Sequence, residues 1–285
     1  MTILKGCHLF IVLVASLVHC QPVQGLASAS TTIAASFSPP KATFSEISID
    51  ANDTAEGKTI GERIKYGESI VEIHNLVTPQ ECAYLVNACL EAAEAEAAST
   101  TKRQLSEKAS PGLVRLPTIA AAERAAATNT SCANALPSNV DEMLQNIFRR
   151  ATEYIDDELP SITSTLFKTT ARTAEEDSLL TTRLKFSSRE PAVNVYAPGG
   201  QFLAHTDSQA LTLLLPLSDP QHFEGGGTAF WGQNSRGHRV EKPSLVRKPA
   251  GGTALLFGGC VSHAGVAVEA GERVVFVASF SRKGD

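Results

Sequence analysis

Basic residues are too few in this chain to form a nucleic-acid-binding surface. Its 285 residues include 25 Lys and Arg against 30 Asp and Glu, which gives a formal net charge of −5. Domains that bind nucleic acid carry a basic stripe, so this balance argues against a nucleic-acid partner and against an acidic membrane surface. Apolar residues make up 43% of the chain, which is ordinary for a globular protein with one sizeable core.

Long hydrophobic runs are also missing. The longest, Leu9–Val18, has ten apolar or small residues, whereas a transmembrane helix needs about 20. The run follows a positive charge at Lys5 and precedes small residues at Cys20 and Gly25, after which cleavage could occur. This pattern predicts a secretory signal peptide over residues 1–25. The alternative is an uncleaved segment that anchors the protein in a membrane.

Acidic residues are absent from Leu26–Ser45, which is rich in Ala, Ser and Thr. We therefore predict a disordered linker over residues 26–65. Together with the signal peptide, the glycosylation sequons at Asn52 and Asn129 indicate the secretory pathway, in the lumen of the endoplasmic reticulum or Golgi. A signal peptide followed by a plastid transit peptide is the alternative.

Cysteine is sparse, and its spacing does not resemble a zinc site. Beyond the predicted signal peptide the chain contains Cys82, Cys89, Cys132 and Cys260. The first two lie seven residues apart on a predicted helix, about 10 Å along its axis, which is too far for a disulfide. A bridge between other pairs stays open.

Residues 66–180 are predicted to form the helical N-terminal part of one domain. One helix begins at Thr78, because a Pro follows this cap residue directly and a Glu comes three residues after it. A second helix begins with Ser138 as its cap and ends at Pro160. Its apolar residues recur at helical spacing over Leu144–Ile155, and we expect this stripe to pack on a sheet.

Residues 181–285 contain eight predicted strands, separated by Pro and Gly turns. Short strands with such turns favour an α+β, mainly β fold, a jelly roll or double-stranded β-helix whose two sheets enclose a cavity. The predicted strands are Arg183–Phe186, Ala192–Tyr196, Phe202–His205, Leu211–Leu217, Thr228–Trp231, Thr253–Phe257, His263–Val268 and Arg273–Phe280.

Two imidazoles and one carboxylate in this region are suited to hold a ferrous ion. His205 and Asp207 have the spacing H-x-D, which puts both side chains on the same side of an extended strand. His263 comes from a distant strand, so only a folded barrel completes the set. Three such ligands leave three positions of Fe(II) open, and we predict a metal site at these residues. H-x-D alone is a weak signal, and each histidine could be a strand residue without a metal.

A basic residue stands ten positions after the second histidine. Arg273 follows a glycine turn at Gly271 that separates two apolar runs. This predicts a hairpin that places the guanidinium on the strand next to His263. A guanidinium can grip a planar carboxylate with two parallel hydrogen bonds, so Arg273 is a candidate carboxylate anchor. The alternative is a surface salt bridge to a neighbouring Glu.

These residues lie within motifs that resemble a known family. The motifs are Y-x-P-G-G at Tyr196 followed by H-x-D, G-G-G-T-x-F at Gly225, G-T-A-L-L-F at Gly252, and H-x-G at His263 with a basic residue ten positions on. Through these motifs, Tyr196–Ser281 resembles the catalytic domain of the Fe(II)/2-oxoglutarate-dependent dioxygenases, in the prolyl 4-hydroxylase branch. Val71–Cys82 is similar to the strand and helix that open such domains. The resemblance implies a jelly roll that is braced by N-terminal helices.

The resemblance also implies an activity. It is the hydroxylation of peptidyl proline, with conversion of 2-oxoglutarate and O2 to succinate and CO2 and with ascorbate as reductant. Catalytic Fe(II) would be held by His205, Asp207 and His263. The 2-oxoglutarate would be bound by Arg273 and by the hydroxyl of Tyr196.

The chain departs from the family near the cosubstrate. Asn194 stands in a region where many prolyl hydroxylases keep Arg, and Leu215-Pro216 in a region where they keep Tyr. One hydroxyl contact to 2-oxoglutarate is therefore missing or replaced, for example by Thr228. Family members also use Lys where Arg273 stands, and Arg retains that charge. The substrate could thus be a peptide or a small molecule.

A cupin-type metal enzyme and a non-catalytic secreted jelly-roll binding module are the competing interpretations of the same fold.

Overall fold

The described part of the chain leaves out both ends and several internal segments. The computed structural model describes residues 37–47, 57–98, 110–128, 134–168, 178–233 and 238–284. The predicted signal peptide, both sequons and Cys132 lie outside these ranges. No helix within them is long and apolar enough to cross a membrane.

The described residues form fourteen strands and five α-helices. The strands are β1 (Lys41–Glu46), β2 (Ser69–His74), β3 (Leu113–Pro117), β4 (Leu184–Phe186), β5 (Ala192–Tyr196), β6 (Phe202–His205), β7 (Leu211–Pro216), β8 (Phe223–Gly225), β9 (Thr228–Trp231), β10 (Leu245–Arg247), β11 (Ala254–Gly258), β12 (Ser262–Gly265), β13 (Val268–Gly271) and β14 (Arg273–Arg282). The helices are α1 (Ile60–Lys65), α2 (Pro79–Ala98), α3 (Ile119–Ala127), α4 (Ser138–Glu158) and α5 (Pro160–Leu166).

The strands pair antiparallel in two sheets and one smaller pair. The main sheet has the order β1-β2-β11-β7-β14-β5-β3, with β4 beside the end of β14, and the second sheet has the order β10-β9-β12-β6. From β5 onwards the chain leaves the main sheet and returns to it three times, at β7, β11 and β14. This winding is a double-stranded β-helix, so the predicted fold class is confirmed. The strand predicted over His263–Val268 is divided into β12 and β13, and β13 pairs with β8.

The central strands of the main sheet are buried on both faces. In β7, Leu213 packs in a core that includes α2 and α4, whereas Leu214 packs with Phe230 between the two sheets. This two-sided burial explains the nearly continuous apolar run of β7. Helix α4 contributes its predicted stripe, with Leu144 and Ile155 fully buried. Burying each such side chain stabilises the fold by about 1.5–3 kcal/mol.

One predicted helix cap is present and the other is absent. At the start of α2 the backbone N–H of Thr78 donates to Glu81 Oε2 at 2.9 Å, and the N–H of Glu81 donates to Thr78 Oγ1 at 3.2 Å. The predicted cap of α4 is wrong, because Ser138 is already in the helix and no side chain caps it. Asp141 of α4 instead accepts a hydrogen bond from the backbone N–H of Ile119 at 2.9 Å. This carboxylate therefore holds the start of α3.

Part of the segment 26–65 is ordered, although it was predicted to be a linker. Strand β1 pairs with β2 along its whole length and forms one edge of the main sheet. Helix α1 begins with a capping box in which Thr59 and Glu62 bond reciprocally. The prediction is wrong for these two elements because β1 gains its order from pairing with β2, which local composition does not reveal. Residues 66–180 supply β2, which confirms the strand expected from the resemblance of Val71–Cys82, and also β3, which was not predicted, so this part is not helical alone.

The cysteines of α2 are protected from reaction by burial. Cys82 and Cys89 are free, so they do not bridge each other, as their spacing predicted, and burial raises the pKa of each thiol to about 12. The thiolate is the reactive form, so a raised pKa makes both thiols less reactive. We expect both to resist iodoacetamide in the native protein and to react after denaturation, as measured by peptide mass mapping. The exposed Cys260 should label first, and equal native labelling of all three would contradict this expectation.

Candidate metal centre

The two predicted histidine ligands lie side by side on neighbouring strands of the second sheet. His205 ends β6 and is the register partner of His263 in β12, and their ring centroids are 4.3 Å apart. His205 Nδ1 lies 2.8 Å from the carbonyl oxygen of Leu203, and His263 Nδ1 lies 3.1 Å from that of Val261. A carbonyl can only accept, so each Nδ1 carries a proton, and in the neutral imidazole Nε2 then has the free lone pair that a metal needs. In metal-binding histidines the ring nitrogen that does not bind the metal usually donates such a hydrogen bond.

Asp207 completes the predicted set. Its Oδ1 lies 3.6 Å from His205 Nε2, and its Oδ2 lies 3.7 Å from His263 Nε2. The three residues form a group whose ligand atoms all lie within 4.8 Å of one another. Two ligands of one ion, each about 2.1 Å from the metal, are at most about 4.2 Å apart, and the two imidazole–carboxylate distances of 3.6 and 3.7 Å are below this limit. The residues therefore fit a divalent metal such as Fe(II), with two imidazoles and one carboxylate as donors.

Two hydroxyl groups from the main sheet hold the Asp207 carboxylate. Thr212 Oγ1 donates to Oδ2 at 2.5 Å, and Ser279 Oγ donates to the same oxygen at 3.3 Å. Within the described residues Oδ1 accepts no hydrogen bond, which leaves it available to a metal. The sequence analysis missed both hydroxyls. A polar residue inside an apolar strand was the available signal, since Thr212 interrupts a run of leucines.

We expect loss of the Thr212 hydroxyl to weaken metal binding. In Thr212→Val the shape of the side chain is kept but the donor to Asp207 is removed. Removing such a contact to a metal ligand typically costs 10–100-fold in affinity or activity, and we expect a fall in that range in a Co(II) titration of the full chain. Thr212→Ser keeps the hydroxyl and serves as the control. Equal affinities of the Val variant and the wild type would show that this hydrogen bond does not orient the ligand.

Arg273 is a buried cation near this centre. It is 2% exposed, its Nη2 donates to Thr228 Oγ1 at 3.0 Å, and its guanidinium lies 5.3 Å from the ring centroid of Tyr196. Burial lowers the pKa of Arg273, but a guanidinium stays protonated in proteins. Among the described residues it forms no salt bridge with a carboxylate. Because a buried charge without a counter-ion is costly, the site is suited to a bound anion.

Arg273 does not reach the site by the predicted hairpin. It begins β14 in the main sheet, where its register partner is Tyr196 of β5. His263 lies on β12 of the second sheet, and Gly271 ends β13, which pairs with β8. The hairpin prediction is wrong because the glycine turn returns the chain to the other sheet. The guanidinium and the histidines therefore approach one cavity from opposite walls.

Polar groups next to Arg273 occupy the region where the sequence departs from the family motif. Asn194 is 6% exposed, and its Nδ2 lies 3.4 Å from the Tyr196 hydroxyl. Its Oδ1 is buried and has no hydrogen-bond partner among the described residues. Thr228, the suggested replacement for a missing hydroxyl, contacts Arg273 directly. These groups are suited to bind a polar ligand beside the guanidinium.

The site residues line one common cavity that opens to solvent. Leu214 and Phe202 supply part of its apolar lining. Arg115 and Glu190 also line it, and the sequence analysis did not identify either residue. The cavity is lined by His205, Asp207, His263, Arg273, Tyr196, Asn194, Thr228, Arg115, Glu190, Phe202, Leu214, Gly265 and Val277.

Comparisons with known proteins give structural likeness at low sequence identity. No family model and no curated protein matches the chain. A prolyl-4-hydroxylase from Pseudomonas putida is similar at 13% identity over 79% of this chain and 98% of that chain, with a TM-score of 0.44. A prolyl hydroxylase from Trichoplax adhaerens, in complex with a hypoxia inducible factor peptide fragment, is similar at 11% identity over 79% of this chain and 88% of that chain (TM-score 0.45). The viral collagen prolyl hydroxylase of Paramecium bursaria Chlorella virus 1, in a 2OG complex, is similar at 15% identity over 75% of this chain and 95% of that chain (TM-score 0.40).

Proposed function

We propose that the protein is an Fe(II)/2-oxoglutarate-dependent dioxygenase that hydroxylates its substrate. The observation that carries the proposal is the convergence of His205, Asp207 and His263 in the cavity that also holds Arg273. Three metal ligands alone would suit several metal enzymes. The buried guanidinium of Arg273 has no carboxylate partner among the described residues, which favours an anionic ligand at the same site.

The residues of the cavity have separate tasks in this proposal. His205, Asp207 and His263 would hold the iron, and the ordering of each donor group by a neighbouring carbonyl or hydroxyl reduces its freedom before a metal binds. When bound, iron and 2-oxoglutarate would activate O2, with one oxygen atom of O2 entering the substrate as a hydroxyl and the other entering succinate, which forms together with CO2. The protein's contribution is orientation of the reactants and exclusion of water.

Arg273 would bind a carboxylate of the cosubstrate. Its planar group can make two parallel hydrogen bonds to a carboxylate, and the hydroxyl of Thr228 orients it at 3.0 Å. The Tyr196 hydroxyl and the Asn194 amide next to it can donate further hydrogen bonds. Apolar rings limit water on the histidine side, since the Phe257 ring centroid lies 4.6 Å from that of His263.

We further propose peptidyl proline as the substrate, with ascorbate as reductant, in the lumen of the secretory pathway. The support is the resemblance of Tyr196–Ser281 to prolyl 4-hydroxylases and the signal-like pattern of residues 1–25. A plastid location reached through the secretory system, and membrane attachment through an uncleaved signal segment, are the alternatives for location.

The test is an assay of the full chain with Fe(II), 2-oxoglutarate, ascorbate and a panel of proline-rich peptides. We expect succinate release together with a mass gain of about 16 Da on a peptide, the mass of one oxygen atom. Succinate release without any modified peptide would favour a small-molecule substrate. Binding of metal without use of 2-oxoglutarate would favour a cupin-type enzyme, and absence of both activities would favour a binding module.

A further inference from the structure

The main sheet has a gap along one edge of β14. On this edge β14 pairs with β5 as far as Val277 and with β4 from Phe280 onwards. Ser279 lies between the two ladders, while on its other edge it pairs with Thr212 of β7. A backbone N–H that is buried without a strand partner needs another acceptor.

Glu190 fills this gap with its side chain. Its Oε2 accepts the backbone N–H of Ser279 at 2.5 Å. The residue is 7% exposed, so its carboxylate needs a counter-ion. Arg115 of β3 supplies one by donating from Nη2 to Oε1 at 2.6 Å, and Arg124 donates to the Glu190 carbonyl oxygen. Both carboxylate oxygens of Glu190 are therefore engaged by donors.

The side chain of Ser279 connects this gap to the metal centre. Its Oγ donates to Asp207 Oδ2 at 3.3 Å and lies 3.2 Å from Thr212 Oγ1, whose single proton is donated to the same carboxylate oxygen. One residue thus contacts Glu190 through its backbone and Asp207 through its side chain. We propose that the Glu190–Arg115 pair is a positioning unit that holds Ser279, and through it Asp207, in place for metal binding. The proposal rests on the proposed function, because it requires a metal on Asp207.

The competing explanation is that the Glu190–Arg115 ion pair only stabilises the fold. A second buried ion pair in the main sheet serves as a control that distinguishes this explanation from a positioning role. Glu72 of β2 is 8% exposed, and its Oε1 lies 2.8 Å from Nε of Arg247. Glu72 is thus a buried carboxylate beside a guanidinium, as Glu190 is, although its contact is an ion pair in which Arg247 Nε makes no hydrogen bond. It lies toward the opposite end of the strand order of the main sheet, and it does not line the metal cavity. Glu72→Gln therefore controls for the general effect of weakening a buried ion pair.

The test compares Co(II) affinity and the melting temperature of the metal-free full chain. Glu190→Gln keeps the shape but has one oxygen for two donors, so either Ser279 or Arg115 loses its acceptor. We expect the affinity for Co(II) to fall about 10-fold or more, which is the loss typically seen when a residue that contacts a metal ligand is replaced. Glu72→Gln should lower the melting temperature to a similar extent and leave the Co(II) affinity as in the wild type.

A double substitution tests whether Ser279 links Glu190 to Asp207. In a Ser279→Ala background, Glu190→Gln should weaken Co(II) binding little further, since the contact that transmits its effect is already gone. If Glu190→Gln does not fold, Glu190→Asp replaces it, because the shorter side chain keeps the charge but withdraws from the Ser279 N–H. The inference is overturned if folded variants of Glu190 bind Co(II) as the wild type does, if Glu72→Gln weakens binding equally, or if the two substitutions act additively. Failure of the wild type to bind Co(II) would overturn the proposed function as well.

Discussion

Replacing Asp207 with Ala is expected to abolish Fe(II) binding and succinate release. The substitution removes the only negatively charged ligand of the group and leaves two neutral imidazoles. Loss of a contact to a metal ligand already costs 10–100-fold, so loss of the ligand itself should reduce succinate release by more than about 100-fold. The measurement is succinate formed by the purified full chain at saturating 2-oxoglutarate, with Fe(II) and ascorbate present.

A matched control separates ligand loss from a general effect of removing a carboxylate. Glu224 lies on β8, is exposed and does not line the cavity, so Glu224→Gln should keep wild-type turnover. Asp207→Asn retains the shape and an acceptor for Thr212 but loses the charge, and we expect it to bind Fe(II) weakly as well. Wild-type succinate release by Asp207→Ala would refute the assignment of this residue as a metal ligand.

The grouping of His205, Asp207 and His263 could be predicted from the sequence because two of the three residues lie two positions apart on one strand. The H-x-D spacing of His205 and Asp207 follows from the alternation of side chains along a strand. His263 was found by motif, since no periodicity connects residues that are far apart in the chain. The jelly roll was predictable for a similar reason: Pro and Gly turns mark the ends of its strands.

The features that were missed or wrong depend on which strands become neighbours. Arg273 was expected beside His263, but the turn at Gly271 takes β14 to the other sheet. The ion pair of Glu190 and Arg115 was not predicted, because it forms only when β3 lies beside β5. Strand pairing over long sequence separations is a tertiary property, so local composition and spacing did not reveal these contacts.

Arg273→Met is expected to remove 2-oxoglutarate binding while leaving the ligand-free fold at least as stable. Truncating one partner of a buried charge pair costs about 2–5 kcal/mol, which corresponds to a dissociation constant about 30-fold to several thousand-fold higher. In the ligand-free protein the buried guanidinium has no carboxylate partner among the described residues, so replacing it with an apolar side chain removes an uncompensated charge. Isothermal titration with 2-oxoglutarate measures the first effect, and the melting temperature measures the second.

The opposite signs of the two effects distinguish a ligand anchor from a structural cation. At about 100 times the dissociation constant, a ligand stabilises its protein by about 2.7 kcal/mol, so 2-oxoglutarate should raise the melting temperature of the wild type but not of Arg273→Met. Arg273→Lys keeps the charge and should retain part of this rise, although a point charge cannot make two parallel hydrogen bonds. If Arg273→Met instead unfolds at a lower temperature without ligand and still binds 2-oxoglutarate normally, the guanidinium stabilises the junction of β14 with β5 and does not anchor a cosubstrate.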